Sequence, residues 1–392
     1  MPVLCSILFV VCLSLTTGVL CSTGGISSVE TLAWAVEYPY VKPVSHGHSF
    51  LFINGHVYTF PNEAWTGTQG LMGMIVTPQH HSKLTSKEDG NCPPISAKEA
   101  ASRHGFDLEA SLSMGPWLPV LAVGSNAAPQ QLIRKFSDLY PGVFILVVEC
   151  VLDGFDVVYS PGLASYGSCP ATLAHSPGTL ASVFLTYLMP PLASRMHSTE
   201  GAPYVYSLMQ LHNIKLHVAS SIDATGQLGA PTRSPQLMTD VLQYNYAAGA
   251  LSLPVECPEG VVQCPIALAE IRAARRRFPA LKQAQLLQLL MHALDGVHLG
   301  DERRLHMPAI KKSGALYPVK FQPPDHDQAN VATFPAQFPA TEGVESRQEG
   351  TTKLEDWILN YVANPSLRHG YISRLQAHAA TQFSYDDHIV II

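Results

Sequence analysis

A short loop, Gly124-Ser125-Asn126, has the residue types and the position that suit binding of an anion. It follows residues 118–123, an apolar, β-prone run that is typical of a buried strand. A proline at the next helix's first turn, and apolar residues at helical spacing, predict a helix over 129–140. Because unpaired N–H groups of a first helical turn point back at such a loop, the sequence predicts a cradle for a carboxylate or phosphate. The alternative is an ordinary strand-to-helix connection in which Asn126 caps the helix.

A second stretch lies downstream and ends in a carboxylate. A Ser-Pro-Gly turn is predicted at 176–178, before an apolar, strand-like run at 181–188. A short helix then ends in Glu200-Gly201, and Tyr204 stands four residues after the glutamate. In this order and spacing, the Gly-Ser-Asn loop and the later motifs resemble the γ-glutamylcyclotransferase-like family, over residues 118–209.

This resemblance implies an enzyme that releases 5-oxoproline from a γ-glutamyl amine, dipeptide or glutathione, with no metal or cofactor. The substrate's own α-amine attacks its γ-carbonyl. Glu200 would be the general acid/base, which takes the ammonium proton and returns one to the leaving amine. The backbone N–H groups of Gly124, Ser125 and Asn126 would hold the γ-glutamyl portion, through its carboxylate or the oxyanion. Tyr204 would add a ring and a hydroxyl to the same pocket.

One position departs from the family pattern. The family usually has an aromatic residue, most often Tyr, immediately before Gly-Ser-Asn, and this sequence has Val123 there. A pocket wall formed by Val123 lacks that ring and hydroxyl. The substitution favours a second hypothesis, a non-catalytic module of the same fold that binds an amino-acid-like carboxylate or a partner. In a purely structural interpretation, Glu200 is an exposed residue before a turn and Gly201 ends the helix.

A third hypothesis is an unrelated hydrolase in which Cys169 is the nucleophile and His175 or His197 is the base. The competing interpretation is that Cys169, in a strand-like run, is a small core residue. Histidines at 46, 48, 80 and 81 raise the question of a metal site. Because no carboxylate or cysteine stands at ligand spacing beside them, no metal site is predicted.

Composition and charge restrict the class of protein. The chain has 392 residues, of which 47% are hydrophobic and 14% charged, which is enough for one large core or two domains. A net charge of −6 without a basic block argues against a nucleic-acid partner. The partner that the family resemblance implies is a small-molecule γ-glutamyl compound, and the oligomeric state stays open.

Residues 1–22 are predicted to be a signal peptide or a membrane anchor. The run is almost wholly apolar and no charge precedes Glu30, although the usual basic segment is missing. This favours the secretory pathway or membrane anchoring. A cytoplasmic location remains the alternative, because the chain has no N-glycosylation acceptor and an odd number of cysteines, five, follows this run.

The predicted fold class is α+β, with a small mixed β-barrel and flanking helices over residues 116–220. About six strands with few helices between them favour this barrel over a doubly wound sheet. An N-terminal extension over 40–115 contains a hairpin at Asn54-Gly55, the dipeptide of a type I′ turn, and a helix after a capping box at Ser96. A C-terminal extension over 221–392 holds linker and helices. In it, 265–294 is predicted helical with three arginines on a solvated face, and another helix begins near 354.

Overall fold

The structure is a computed structural model of the chain. It describes residues 28–39, 48–79, 93–200, 206–211, 214–223, 227–228, 236–238, 241–257, 260–295, 353–380 and 389–391. The predicted signal peptide or anchor at 1–22 lies outside these residues, as do Tyr204 and the histidines at 46, 80 and 81. None of the helices in the described ranges has the length and apolar character that crossing a membrane requires.

Helices and strands alternate irregularly along the chain. The helices are α1 (Ser28–Val36), α2 (Ala97–Arg103), α3 (Leu108–Ser113), α4 (Pro129–Phe136), α5 (Pro190–Thr199), α6 (Gln283–Asp295), α7 (Leu354–Ala363) and α8 (Pro365–Gln376). The strands are β1 (His48–Ile53), β2 (His56–Pro61), β3 (Ile75–Gln79), β4 (Ile95–Ser96), β5 (Leu118–Ala122), β6 (Phe144–Tyr159), β7 (Ala171–Leu188), β8 (Tyr206–Leu211), β9 (Ile214–Val218), β10 (Gln236–Met238), β11 (Val241–Tyr246), β12 (Ala250–Cys257), β13 (Gly260–Pro265), β14 (Ala267–Leu268), β15 (Ala273–Ala274), β16 (Ala280–Leu281), β17 (Ala379–Ala380) and β18 (Ile389–Ile391).

Most strands belong to one large mixed sheet, which confirms the predicted α+β class. Its order is β18-β8-β11-β5-β7-β6-β1-β2-β3-β4, and a smaller sheet has the order β13-β12-β17. The β5–β11 pair is parallel, whereas β5–β7 and β6–β7 are antiparallel. The pairings recorded for the described strands do not close into a ring, so the small barrel stays a prediction.

The antiparallel pair of β6 and β7 forms the centre of the sheet. β6 is one continuous strand of 16 residues, Phe144–Tyr159. The Pro-Gly turn predicted at 176–178 lies inside β7, so that prediction is wrong. Asp153 pairs with Leu180 and Phe155 with His175, which leaves residues 176–179 opposite Gly154 alone. The proline and glycine therefore make a bulge that bends a continuous strand, rather than a turn that ends one.

The predicted hairpin at Asn54-Gly55 is confirmed. β1 and β2 pair antiparallel around this dipeptide, with φ angles of 46° at Asn54 and 89° at Gly55, as a type I′ turn requires. The Asn54 side-chain oxygen also accepts hydrogen bonds from the backbone N–H groups of Gly142 and Val143, at 3.0 and 2.9 Å. β1 pairs with β6, so the hairpin continues the central sheet. The predicted domain boundaries stay predictions.

The helix predicted over 265–294 is correct only from Gln283 onward. Before it, β14 pairs with β6 and β15 pairs with β7, so this segment borders the central strands. Of the three arginines predicted on a solvated helix face, Arg275 and Arg277 are exposed but do not lie on a helix. Arg276 departs from the prediction, because its guanidinium bonds the fully buried Asp156 carboxylate at 3.0 and 3.2 Å. The apolar spacing in this segment reflects burial against the sheet and not a helical period.

The remaining predicted helices are present. Ser96 caps α2 by accepting a hydrogen bond from the Glu99 backbone N–H, which confirms the predicted N-cap, while the Glu99 carboxylate bonds Arg103. At the C-terminal end, α7 is followed at once by α8, which begins with Pro365. Stacked rings of Trp357, Tyr361 and Tyr371 join the two helices. These helices therefore add a packed aromatic layer to the fold.

We expect Arg276→Met to lower the free energy of unfolding by about 3–5 kcal/mol, because it leaves the buried Asp156 carboxylate without its counter-charge. The exposed neighbouring variant Arg277→Met should change it by less than about 0.5 kcal/mol. Urea unfolding of both variants makes the measurement. Equal stability of the two variants would show that the Asp156–Arg276 pair is not needed to hold this segment on the sheet.

Candidate functional site

The Gly-Ser-Asn loop connects β5 to α4 through one turn of 3₁₀ helix. Val123 is buried at the end of β5, and the 3₁₀ turn covers Ser125–Ala127. Ala128 is the N-cap of α4, and no side chain caps the helix. The alternative interpretation of Asn126 as a capping residue is therefore wrong. Its side-chain amide is free to bond elsewhere in the protein.

Asn126 and Glu200 lie in direct contact, although 74 residues separate them. Glu200 is the C-cap of α5, and its side chain is only 11% exposed. The Asn126 Nδ2 donates to Glu200 Oε1 at 3.0 Å. The interpretation of Glu200 as an exposed residue before a turn therefore does not hold. The two sequence stretches that carry the family resemblance meet at this contact.

A buried lysine, Lys135 on α4, completes this cluster. Its side chain is 4% exposed, and its Nζ donates to Glu200 Oε1, to Asn126 Oδ1 at 2.8 Å and to Met196 Sδ at 3.3 Å. An ammonium group has three N–H donors, so these acceptors use all of them. Burial lowers the pKa of Lys135, and the Glu200 carboxylate opposes this effect. Lys135 is therefore a fixed partner of the carboxylate.

Lys135 is not among the site residues predicted from the sequence, although one feature of the sequence points to it. Lys135 stands beside Phe136 and three residues after Leu132, on the side of α4 that packs into the core. A lysine on the apolar face of a helix requires a buried partner with opposite charge. The sequence alone does not say which of the chain's acidic residues this partner is.

A second set of contacts fixes α5 against α4. Arg195 Nε donates to the backbone oxygen of Lys135 at 2.8 Å, and its Nη2 bonds both carboxylate oxygens of Asp138. The two helices that carry Lys135 and Glu200 are therefore joined by both a buried and a more exposed ion pair. This arrangement holds Glu200 at a fixed place beside the loop.

Gly124 has a structural reason to be a glycine. The hydroxyl of Tyr38 occupies the space where a Cβ on residue 124 would lie, and Ala171 Cβ would be 3.3 Å away. The Tyr38 hydroxyl also accepts a hydrogen bond from the Ala171 backbone N–H at 2.8 Å. A tyrosine hydroxyl thus lies at the loop, but Tyr38 supplies it and position 123 does not.

Two other predicted groups can be placed. Ser125 is buried, and its backbone oxygen accepts from the Ala128 N–H at 2.8 Å.

Cys169 is fully buried, and its thiol donates to the Ser160 backbone oxygen at 3.1 Å. Burial raises the pKa of the Cys169 thiol, so the reactive thiolate is disfavoured. Its full burial argues against Cys169 as a nucleophile and fits the interpretation of a small core residue.

A metal centre would require several ligating side chains in one place. Among the described residues, no group of three or more His, Cys, Asp or Glu side chains is arranged to hold a metal ion. The Asn126–Lys135–Glu200 cluster itself offers an amide, an ammonium and a carboxylate group. These groups can hold and transfer protons and can orient a small polar molecule.

We expect Lys135→Met to lower the free energy of unfolding by about 3–5 kcal/mol, because it leaves the Glu200 carboxylate with less compensation in a buried place. The same change made together with Glu200→Gln should cost clearly less, since the double variant has no charge at the cluster. Urea unfolding of the two single variants and the double variant gives the coupling energy. Additive effects would contradict a direct Lys135–Glu200 interaction.

Gly124→Ala should destabilise the protein by about 1–3 kcal/mol, because its Cβ would overlap the Tyr38 hydroxyl. The cost should be smaller in a Tyr38→Phe background, where that hydroxyl is gone. The φ of Gly124 is −131°, so backbone strain does not enter the comparison. Thermal unfolding of the four proteins of this cycle is the measurement, and an equal cost in both backgrounds would rule out the steric explanation.

Comparisons with known proteins assign this chain to no family. No protein-family model, curated protein or solved structure matches it. The function proposed below is therefore based on the chain's own residues and their geometry, together with the family resemblance of its motifs.

Proposed function

We propose that this chain is a γ-glutamylcyclotransferase-like enzyme. It releases 5-oxoproline from a γ-glutamyl amine or peptide, and Glu200 is its general acid/base. The fold proposed for residues 116–220 is the small barrel of that family. The observation that carries this proposal is the contact between the Glu200 carboxylate and Asn126, the last residue of the Gly-Ser-Asn loop.

The two oxygens of the Glu200 carboxylate have different surroundings. Asn126 Nδ2 and Lys135 Nζ both donate to Oε1, whereas Oε2 has no hydrogen-bond partner among the described residues. Two donors on one oxygen suit an ionised carboxylate, which is an acceptor at both oxygens. Oε1 therefore fixes the orientation of the group, and Oε2 is available to accept a proton.

The proposed reaction needs that oxygen twice. Glu200 Oε2 takes a proton from the substrate's α-ammonium, and the freed amine attacks the γ-carbonyl carbon. The new C–N bond closes the five-membered ring and moves the carbonyl electrons onto oxygen. When the carbonyl re-forms, the bond to the leaving amine breaks, and the proton on Glu200 passes to the leaving nitrogen. The ring nitrogen still carries two hydrogens at this point, and it gives the second proton to the ionised Glu200. From there the proton passes to the released amine, which leaves as an ammonium ion. No residue of the protein forms a covalent bond with the substrate.

The other groups of the cluster position the carboxylate or the substrate. Lys135 has acceptors for all three of its N–H groups, so it acts as a positioning residue. The backbone N–H groups of Gly124, Ser125 and Asn126 are proposed to hold the γ-glutamyl portion. Tyr204, by the family resemblance, adds a ring and a hydroxyl.

A binding module of the same fold is the second candidate function. Val123 favours it, because this buried aliphatic residue replaces the family's aromatic residue before the loop. In this case the Gly-Ser-Asn loop would hold an amino-acid-like carboxylate without turning it over. The two functions differ in one measurable property, the release of 5-oxoproline.

We expect the wild-type protein to release 5-oxoproline from at least one member of a panel of γ-glutamyl amines, γ-glutamyl dipeptides and glutathione. Glu200→Gln should lower kcat by about 10²–10⁴-fold, because the amide cannot accept the ammonium proton. The matched control is Glu109→Gln, a change at a side chain that is 73% exposed. It should keep full activity.

The folded state of Glu200→Gln has to be shown by circular dichroism and by binding of the best substrate. Substrate binding without turnover in this variant would support the acid/base role. A folded wild-type protein that releases no 5-oxoproline from any substrate, yet binds a γ-glutamyl compound, would favour the binding module.

A further inference from the structure

A histidine lies one turn before Glu200 on the same helix. His197 and Glu200 stand three residues apart at the end of α5, and the Glu200 backbone N–H donates to the His197 backbone oxygen at 3.2 Å. Side chains three residues apart on a helix are neighbours on one face. The His197 imidazole is therefore close to the Glu200 carboxylate, and the two groups interact electrostatically.

Tyr244, from a distant part of the chain, holds this imidazole. The Tyr244 hydroxyl lies 2.5 Å from His197 Nδ1, and the two rings meet edge to face with centroids 5.6 Å apart. Tyr244 stands on β11, which pairs with β5, the strand that leads into the Gly-Ser-Asn loop. The sheet thus places His197 with respect to the loop as well as to Glu200.

The protonation states of this pair follow from their surroundings. Burial and the Glu200 carboxylate raise the pKa of Tyr244, so its hydroxyl keeps its proton. Burial lowers the pKa of His197, an effect that the Glu200 carboxylate opposes, so the ring tends to be neutral near pH 7. A protonated tyrosine donates to Nδ1 of a neutral imidazole, which places the ring proton on Nε2. His197 Nε2 has no hydrogen-bond partner among the described residues.

We propose that His197, oriented by Tyr244, donates a hydrogen bond from Nε2–H to the oxyanion that forms on the substrate's γ-carbonyl oxygen. This inference rests on the proposed function. The reaction puts negative charge on that oxygen while the substrate lies next to Glu200 Oε2. A donor fixed beforehand stabilises this charge without moving, and no proton leaves the imidazole. The loop N–H groups then hold the substrate's α-carboxylate.

Two substitutions separate this role from a structural one. In His197→Asn, the amide nitrogen can take the place of Nδ1, near Tyr244, but no donor remains at the position of Nε2. In His197→Gln, the amide nitrogen reaches the position of Nε2, and the contact with Tyr244 is lost. The experiment measures kcat and KM for 5-oxoproline release by the wild type and both variants, after urea unfolding has shown that all three are folded.

We expect His197→Asn to lower kcat by about 10²–10³-fold with KM nearly unchanged, because a donor to the oxyanion acts mainly in the transition state. His197→Gln should stay within about tenfold of the wild type. Activity kept by His197→Asn, or equal loss in both variants, would overturn the assignment to Nε2. A folded wild type without any 5-oxoproline release would overturn the proposed function itself, so the two failures are distinguishable.

Discussion

The ion pair of Lys135 and Glu200 is the interaction on which the candidate site depends. Both side chains are withdrawn from water, at 4% and 11% exposure, and a buried charge is costly unless an opposite charge and hydrogen bonds compensate it. Asn126 hydrogen-bonds both partners, and Met196 Sδ accepts the third N–H of Lys135. Because Asn126, Lys135 and Glu200 come from the loop, from α4 and from the end of α5, the pair fixes the position of all three elements.

A second buried ion pair, Asp156 and Arg276, likewise fixes the position of a distant segment. Asp156 belongs to β6, and Arg276 belongs to the irregular segment before α6. This pair holds the segment against β6 and β7, where short strands also border the central ladder. The long bent strands therefore serve as the frame. β5, which leads into the loop and α4, pairs with β7. The segment before α6 pairs with both β6 and β7.

The groups of the proposed catalytic site differ in whether their hydrogen-bonding atoms already have partners in the protein. Lys135 has no N–H left for a substrate, whereas Glu200 Oε2 and His197 Nε2 have no partner among the described residues. Lys135 therefore holds its neighbours in place, whereas Glu200 Oε2 and His197 Nε2 can act on a ligand. A carboxylate that accepts a proton and a neutral imidazole that donates a hydrogen bond match the two charges that change during cyclisation.

Local patterns in the sequence predicted the local parts of this structure. The hairpin at Asn54-Gly55 and the cap at Ser96 follow from turn and cap chemistry, which involve only neighbouring residues. The strand, loop and helix around Gly124 were likewise predicted, and so was the helix that ends at Glu200. The order and spacing of the motifs also predicted that Asn126 and Glu200 belong to one site.

Only the tertiary structure decided what these residues contact. The partner of Lys135, the Tyr38 hydroxyl beside Gly124 and the Tyr244 hydroxyl on His197 all come from residues distant in sequence. The same reason explains the errors over 265–281 and at 176–178, where pairing with β6 and β7 overrode a helical pattern and a turn pattern. Composition and spacing determine which residues are buried and which local turns form. The choice of buried partners requires the packed sheet, because desolvated charges and close contacts exist only once distant segments meet.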